Sequence, residues 1–322
     1  MKNHAAGAKD GITTNGYLGG NGKFAMYVAA DSVAGSSLWA TDGTPSGTRL
    51  LMNLGYKSTS PRMGQLGSSK MLFGRTYNSE LWSTDGTAAG TTLVKSFGSR
   101  EAVGNISWLP NRSFALLSVS TAGSGYELWI TDGTTAGTKL LREIMLYKDG
   151  SYPTSYREVG NQVIFTAVSD GHGRELWVTD GTTKNTKLLK ELNASTTGTH
   201  FYNFTAHKGK VYFWAKADLP MKRSYAYVTD GTSAGTKKLS DFAITSQQNG
   251  NYAGFVSLGD RLVYLGATID TPSDIELWET TETFNGQKKL TNWIQSMDKT
   301  TPAMMRAVEV PSLDGKNRPC PK

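Results

Sequence analysis

A motif of eight residues, Glu-Leu-Trp-x-Thr-Asp-Gly-Thr, recurs six times along this chain of 322 residues. The copies, some of them degraded, lie within residues 37–44, 80–87, 127–134, 175–182, 224–232 and 276–283. Measured between the motif aspartates, with Thr281 in the degraded last copy, successive copies are 43, 47, 48, 50 and 51 residues apart. A repeat of this period is typical of a propeller, a solenoid or another array in which neighbouring units bury one another.

Each repeat contains the same four short segments with strand character. A first segment, such as residues 155–159, ends at a Gly or Asn turn and precedes an apolar, β-rich run, such as residues 163–168. A loop, the Glu-Leu-Trp strand, the Asp-Gly turn and a closing strand, such as residues 138–142, complete the unit. Four strands in about 48 residues correspond to one blade of a β-propeller.

We therefore predict an all-β fold, a six-bladed β-propeller of four-stranded antiparallel blades. The Leu and the Trp of the motif point to opposite sides of their strand, so each sheet is apolar on both sides and needs a neighbour on both. Tyr227 takes the aromatic position in the fifth copy, and we assign this position to packing. The other copies use five of the eight tryptophans, namely Trp39, Trp82, Trp129, Trp177 and Trp278.

The repeats also define the domain boundaries. We predict an N-terminal tail of residues 1–14, a propeller of residues 15–295 and a C-terminal tail of residues 296–322. Residues 304–310 have strand character, and we expect them to dock on the first blade and close the ring, because an open ring leaves strand edges unpaired. The alternative is seven blades, with a degenerate blade shared by the termini.

Composition limits the possible partners. The net charge of +7 raises the question of nucleic acid, since a basic field recruits polyanions. The basic residues recur, however, just after the Gly-Thr of most repeats, where exposed cations protect an outer strand from edge pairing. These residues are Arg49, Lys139, Lys187, Lys237 and Lys288. We therefore expect no specific nucleic acid partner and a monomer.

Other sequence signals bear on compartment and covalent structure. No apolar stretch is long enough to span a membrane. Residues 1–10 have no apolar core of the secretory type, so we predict no signal peptide in this chain. Cys320 is the single cysteine, which excludes an internal disulfide and a thiolate metal cluster within one chain.

The Thr-Asp-Gly-Thr segment is interpreted as a hairpin turn. Asp-Gly favours the positive φ of tight hairpins, and the Asp and Thr oxygens accept bonds from nearby backbone amides. The alternative is that each Asp joins an oxygen-ligand calcium site. The last copy, residues 280–283, lacks both the Asp and the Gly, which favours the turn.

A propeller whose first strand lies at the axis has two unlike faces. Its uniform face carries the turns after the first strands and the Asp-Gly turns. Its variable face carries the loops before the Glu-Leu-Trp strands and the crossings between blades, and function on such scaffolds is found on variable loops. Paired carboxylates there suit glycoside cleavage or a bridging cation, although an Asp also simply starts a turn. The candidates are Asp31, Asp170, Asp218 and Asp270.

Two further groups of residues are candidates for ligand binding. Arginine and aromatic side chains of the first strands are expected to line the axial channel and to suit an anionic or sugar ligand. These are Arg62, Trp108, Tyr156 and Arg157. The second group is His172 and Arg174 in the fourth variable loop. The histidines of the chain are too scattered to predict a metal site. No established catalytic motif is present, and no catalytic residue is assigned.

The six copies resemble the bacterial ELWxxDGT repeat over about residues 15–295, and the Thr-x-x-Gly-Thr-x-Leu continuation of the first three copies matches as well. Proteins with this repeat are known mainly as secreted or cell-surface bacterial proteins without a common enzymatic activity. The resemblance therefore implies a propeller-like fold and a bacterial surface or secreted location.

Three functions are consistent with these observations. The first is a non-enzymatic binding propeller that recognises a glycan or a protein through its variable face. The second is a polysaccharide-acting hydrolase or lyase that uses the loop carboxylates. The third is a structural spacer in a larger chain. No cofactor is expected, with calcium as the alternative left open.

Overall fold

The computed structural model describes residues 18–31, 35–55, 61–75, 80–98, 102–121, 124–146, 149–194, 196–216, 223–245, 254–266, 276–280 and 286–291. These residues form 25 β-strands in six sheets. Each sheet has four antiparallel strands, and the second sheet gains a fifth, short strand that pairs in parallel. The protein is a six-bladed β-propeller, as the repeats predict.

The first three blades contain four strands each, and one additional short strand lies within the third repeat of the chain. The first blade contains β1 (Leu18–Gly20), β2 (Ala25–Asp31), β3 (Gly35–Thr41) and β4 (Arg49–Gly55). The second contains β5 (Arg62–Leu66), β6 (Lys70–Arg75), β7 (Glu80–Thr84) and β8 (Thr92–Ser96). The third contains β9 (Val103–Ile106), β11 (Ala115–Ser120), β12 (Tyr126–Thr131) and β13 (Lys139–Arg142), with β10 (Trp108–Leu109) between β9 and β11 in the chain.

The last three blades keep the same order. The fourth contains β14 (Thr154–Val159), β15 (Gln162–Ser169), β16 (Gly173–Thr179) and β17 (Lys187–Lys190). The fifth contains β18 (His200–His207), β19 (Lys210–Lys216), β20 (Arg223–Thr229) and β21 (Lys237–Thr245). The sixth contains β22 (Val256–Leu258), β23 (Arg261–Gly266), β24 (Glu276–Glu279) and β25 (Lys288–Lys289).

The third blade departs from the repeat pattern, because two short strands, β9 and β10, stand where the other blades have one first strand. β9 pairs with β11 inside the third blade, whereas β10 pairs in parallel with β5 of the second blade, with Trp108 opposite Gln65. Ser107 joins the two pieces. Its hydroxyl accepts from the Leu116 amide at 2.8 Å, and its carbonyl accepts from the Gln65 amide at 2.9 Å.

A hydrophobic core lies between each pair of consecutive blades, which gives five such cores in the part of the chain that the structure describes. Each core joins the motif leucine position of one blade to the motif aromatic position of the next. The pairs are Leu38 and Trp82, Leu81 and Trp129, Leu128 and Trp177, Leu176 and Tyr227, and Ala226 and Trp278. The two-sided packing predicted from the motif is therefore confirmed at these five boundaries.

The first strands lie at the centre of the ring. β1 contacts β5, β5 contacts β9, β10 contacts β14, β14 contacts β18, and β18 contacts β22. The connections after these strands and the Asp-Gly turns therefore share the uniform face. The two tails, residues 304–310 and the alternative seventh blade all lie outside the described residues.

Candidate functional site

Each described Asp-Gly turn donates hydrogen bonds to one oxygen of its own carboxylate. In the third blade, Asp132 Oδ1 accepts from the Thr134 amide at 2.8 Å and from the Thr134 hydroxyl at 2.7 Å. The hydroxyl of Thr131 accepts from the Gly133 amide at 3.0 Å and is hydrogen-bonded to the Thr138 hydroxyl. The turn therefore gives the motif aspartate a structural role of its own.

The same two threonine bonds recur in four other turns. Threonine hydroxyl and amide bonds hold the pKa of all five carboxyls below the usual range. The other four carboxyls are those of Asp42, Asp85, Asp180 and Asp230.

The loop aspartates proposed for catalysis are only partly placed. Asp170 is half-buried, and its Oδ2 accepts from the Leu146 amide at 3.3 Å. The backbone of Asp31 ends β2 opposite Gly35, while its side chain lies outside the described atoms. Asp218 and Asp270 also lie outside the described residues. Their catalytic role stays a prediction, and no cluster of three or more His, Cys, Asp or Glu suited to a metal occurs in the part described.

The first-strand candidates occupy different environments. Arg62 is exposed at the first residue of β5. Trp108 is 37% exposed, and its indole ring lies against the backbone of Gly19 in β1, where an added Cβ would be 2.5 Å from the ring. Arg157 is exposed on β14, and its Nε donates to the Phe204 carbonyl at 3.0 Å.

Tyr156 differs from the expectation that it lines the channel. Its side chain is 4% exposed and belongs to the core between the third and fourth blades. Its hydroxyl donates to the Pro153 carbonyl at 3.1 Å, and burial raises the pKa of that hydroxyl. The reason is alternation, since consecutive side chains leave a strand on opposite sides and Arg157 takes the channel side.

His172 and Arg174 lie together at the fourth variable loop but make separate contacts. His172 Nδ1 is 2.9 Å from Glu191 Oε1, which joins the loop to the next crossing. Arg174 Nη1 donates to the Tyr152 carbonyl at 3.0 Å and to the Thr166 hydroxyl at 3.3 Å. Burial lowers the pKa of the Arg174 guanidinium.

An aromatic patch on the variable face was missed from sequence. Tyr152, in the crossing between β13 and β14, is 47% exposed and has a φ of 44°, a value that non-glycine residues rarely adopt. Its amide donates to the Tyr126 carbonyl at 3.0 Å, and the two rings are 5.4 Å apart. Leu146 of the same crossing is 73% exposed. We call Tyr126, Tyr152 and Arg174 the tyrosine patch.

The motif glutamate has a structural role that sequence reasoning also missed. Glu127 is 2% exposed, and its carboxylate accepts from the amides of Ile144 at 2.7 Å and Ser151 at 3.0 Å and from the Ser151 hydroxyl at 2.7 Å. Glu175 holds the next crossing in the same way, through Leu192 and Thr199. Burial raises the pKa of both carboxyls, and the hydrogen bonds oppose this shift.

Paired glycines make the glutamate contact possible. The Gly125 and Gly150 backbones approach so closely that a Cβ on Gly125 would lie 2.4 Å from the Gly150 amide nitrogen. Gly173 and Gly198 repeat the approach at 2.4 Å in the next blade. The available sequence signal was a Gly two residues before the motif glutamate and a Gly followed by Ser or Thr before the next first strand.

The recurring basic residues lie on the outermost strands, as expected for edge protection. All five are exposed, namely Arg49, Lys139, Lys187, Lys237 and Lys288. Further along two of these strands, Arg142 donates to the Thr186 carbonyl at 2.9 Å and Lys190 to the Thr236 carbonyl at 2.9 Å. These cations therefore fasten an outer strand to the turn of the next blade.

Within the described ranges, no helix has the length and apolar character needed to cross a membrane. No protein-family model matches the chain, and no curated protein matches it.

Solved structures resemble the chain in fold. A structure of a prolyl endopeptidase is 12% identical with a TM-score of 0.51, covering 88% of this chain and 43% of that chain. The β-propeller domain of the Trilobed protease from Pyrococcus furiosus is 15% identical with a TM-score of 0.35, covering 87% of this chain and 99% of that chain. TolB from Acinetobacter baumannii is 15% identical with a TM-score of 0.44, covering 83% of this chain and 66% of that chain. The chain thus spans less than half of the prolyl endopeptidase, and at this identity the likeness shows the propeller fold alone.

Proposed function

We propose that the chain is a non-enzymatic ligand-binding propeller of a bacterial secreted or cell-surface protein of the ELWxxDGT-repeat kind. It recognises a glycan or a protein through its variable face. The fold supports this proposal because a rigid ring that presents unlike loops on one face is a common scaffold for recognition.

The observation that carries the proposal is the presentation of Tyr152. Its backbone is held in a strained left-handed conformation by the Tyr126 carbonyl on one side and the Arg174 guanidinium on the other. Such strain costs of order 1–3 kcal/mol and persists where the surroundings impose it, often at a binding site. The result is an exposed aromatic ring on a fixed backbone, with the Tyr126 ring beside it. A tyrosine has few rotatable bonds, so it loses little entropy when a ligand packs on it.

The test is a glycan and polysaccharide array with the purified chain, run with calcium and again with chelator. We expect saturable binding to one sugar class, weakened about tenfold or more by Tyr152→Ala, since exposed aromatic anchors dominate small interfaces. Leu140→Ala is the matched control, because Leu140 is 44% exposed on the outer strand of the third blade.

Equal binding by wild type and Tyr152→Ala would show that the tyrosine patch is not the site. Loss of binding with chelator would support a cation at the loop aspartates. Absence of saturable binding under both conditions would contradict the glycan form of the proposal and leave a protein as the ligand to test.

A further inference from the structure

The sixth blade differs from the others in the burial of its motif leucine. In the first five blades this position packs against the blade that follows and is at most 1% exposed. The equivalent Leu277 of the sixth blade is only partly buried. The leucine side of the sixth blade therefore meets solvent where the other blades meet a neighbour. The five buried residues are Leu38, Leu81, Leu128, Leu176 and Ala226.

Strand pairing identifies the residues that share this side. Leu265 of β23 is opposite Leu277 of β24, and Val256 of β22 is opposite Val263 of β23. Because side chains alternate along a strand, Leu258 lies on the same side as Val256, and Leu265 on the same side as Val263. Val256 is 52% exposed, Leu258 57% and Leu265 42%. We call Val256, Leu258, Leu265 and Leu277 the open face.

The opposite side of the same blade is packed as in the other blades. Leu262, Tyr264 and Trp278 are at most 8% exposed and belong to the core shared with the fifth blade. In the fifth blade, Trp214 is opposite Ala226 as Leu265 is opposite Leu277, and Trp214 is 1% exposed. Exposure is therefore confined to the leucine side and does not reflect loose packing of the whole sixth blade.

An ion pair lies at one end of the open face. Arg261 Nη2 donates to Glu279 Oε2 at 2.6 Å, and Arg261 Nε donates to Glu279 Oε1 at 2.8 Å. Arg261 is opposite Leu258 and Glu279 is opposite Val263, so both side chains lie on the leucine side. The two charges neutralise each other, and the rest of the face is aliphatic. An apolar occupant therefore fits this face better than a charged one.

The chain itself supplies an apolar segment next to this face. The last described residue is Thr291, just after β25 (Lys288–Lys289), the outermost strand of the sixth blade. Of the residues beyond it, 304–310 form the richest apolar run, Met-Met-Arg-Ala-Val-Glu-Val. Val308 and Val310 alternate with Glu309, as in a strand with one apolar side, and methionines adapt to irregular surfaces.

The distance is within reach of this segment. Residues 292–303 span about 40 Å when extended, at roughly 3.3–3.6 Å per residue. The strands of a blade lie about 4.8 Å apart, so a four-stranded sheet is about 15 Å wide. A segment tethered beside β25 has a high effective concentration at the open face, which a separate molecule lacks.

We propose that residues 304–310 dock on the open face of the sixth blade and cover Leu258 and Leu265. The sequence alone places this segment on the first blade, whereas the exposed leucines favour the sixth. Docking there removes apolar surface of both partners from water and gives the sixth leucine side the cover that the other five have. The tyrosine patch takes no part in it, so this inference and the proposed function fail independently.

Cysteine cross-linking of the full chain tests where the segment lies. Every variant carries Cys320→Ser, and a short bismaleimide linker joins Val308→Cys to one second cysteine. Leu265→Cys is the test position. Leu140→Cys is the matched control, because Leu140 is 44% exposed but lies on the outer strand of the third blade. We expect intramolecular linkage to form about tenfold faster or more at position 265 than at position 140, with the linked peptides identified by mass spectrometry.

Hydrogen exchange provides a second measurement without a linker. The amides of residues 304–310 should exchange about tenfold or more slowly in the wild type than in Leu265→Asp, because docking would bury the new carboxylate. Leu265 lies outside the five described cores, so this substitution leaves them intact. Leu140→Asp is the control and should exchange at these amides as the wild type does.

Four results would overturn the inference. The first is equal linkage rates at positions 265 and 140. The second is linkage between two chains, which would identify a second copy as the occupant. The third is equal exchange of residues 304–310 in the wild type and in Leu265→Asp. The fourth is faster linkage to Leu50→Cys, an exposed position of the first blade, which would return the segment to that blade.

Discussion

At the scale of single residues, the motif glutamate has a structural role that explains why it recurs. Both oxygens of Glu127 face N–H or O–H donors, and these donors belong to the segment that carries the chain into the next blade. A buried carboxylate bonded in this way replaces its hydration with fixed amides. The glutamate thereby fixes the crossing that presents Tyr152.

Replacing this glutamate by its amide should destabilise the protein. In Glu127→Gln, the new NH₂ group faces an amide N–H where the carboxylate accepted a bond, so a buried donor loses its partner. We expect the free energy of unfolding to fall by about 1–3 kcal/mol. Guanidinium denaturation measures this change in unfolding free energy. Glu143→Gln is the control, because Glu143 is an exposed residue of the same crossing. Equal unfolding free energies for the two variants would contradict the role given to Glu127.

At the scale of the element, the hairpin after the motif depends on the glycine five residues beyond the aspartate. A Cβ on Gly137 would lie 2.0 Å from Asp132 Oδ1. The fourth blade replaces this glycine with Asn185, whose Nδ2 donates to Asp180 Oδ2 at 2.5 Å. A side chain is therefore tolerated at this position when it donates a hydrogen bond to the aspartate carboxylate. Gly47, Gly90 and Gly235 match Gly137.

This comparison makes a prediction about two substitutions at one position. Gly137→Ala should displace the Asp132 carboxylate and cost about 1 kcal/mol, the usual value of a lost side-chain to backbone bond. Gly137→Asn should cost less, although its side chain is larger, because its amide can reach the carboxylate as Asn185 does. Thermal unfolding of both variants and the wild type tests the order. A lower melting temperature for the Asn variant than for the Ala variant would contradict this account.

The sequence was sufficient for features set by local chemistry. The bonds to the Asp carboxylate and the opposite facing of the motif Leu and Trp follow from side-chain chemistry and strand alternation, and the structure confirms both. The turn is not the tight hairpin expected, because β12 ends at Thr131 and β13 begins only at Lys139. The pairing of β10 with β5 could not be predicted, because it joins two blades and no local pattern specifies a non-local partner. The bulge at Ser155 and the strained φ of Tyr152 depend likewise on bonds to distant residues.

The candidate site was less predictable than the fold. Arg157 was expected on the channel wall and is exposed on an inner strand, whereas Tyr156, the adjacent residue, is buried. The tyrosine patch joins β12, the crossing after β13 and β16, and only packing of the third blade against the fourth brings these segments together. Whether any of these residues binds a ligand stays a prediction.

At the scale of the whole molecule, stability resides in the boundaries between blades. Trp177 is 6% exposed and lies in the core between the third and fourth blades, with its ring 6.3 Å from that of Phe165. In an array of repeats, stability is close to the sum of unit and neighbour terms. A large side chain at one boundary therefore affects the cohesion of the ring as a whole.

Truncating this ring should be costly, and replacing it by a smaller ring should not. Trp177→Ala should lower the free energy of unfolding by about 3–5 kcal/mol. Trp177→Phe should cost much less, because it keeps a ring and removes an indole N–H that has no acceptor among the described residues. Denaturant unfolding of both variants measures the difference, with Leu140→Ala as an exposed control. A similar loss for Phe and Ala would contradict this account.

The pairing of a leucine side with an aromatic side makes each of the five described boundaries head-to-tail. A blade offers one kind of surface to its successor and the complementary kind to its predecessor, so no single boundary records how many blades there are. Copying or deleting one whole unit in the gene would leave all remaining boundaries matched. Blade number is then set by the angle at which successive wedges meet, and such a chain can change in length during evolution without redesigning its core.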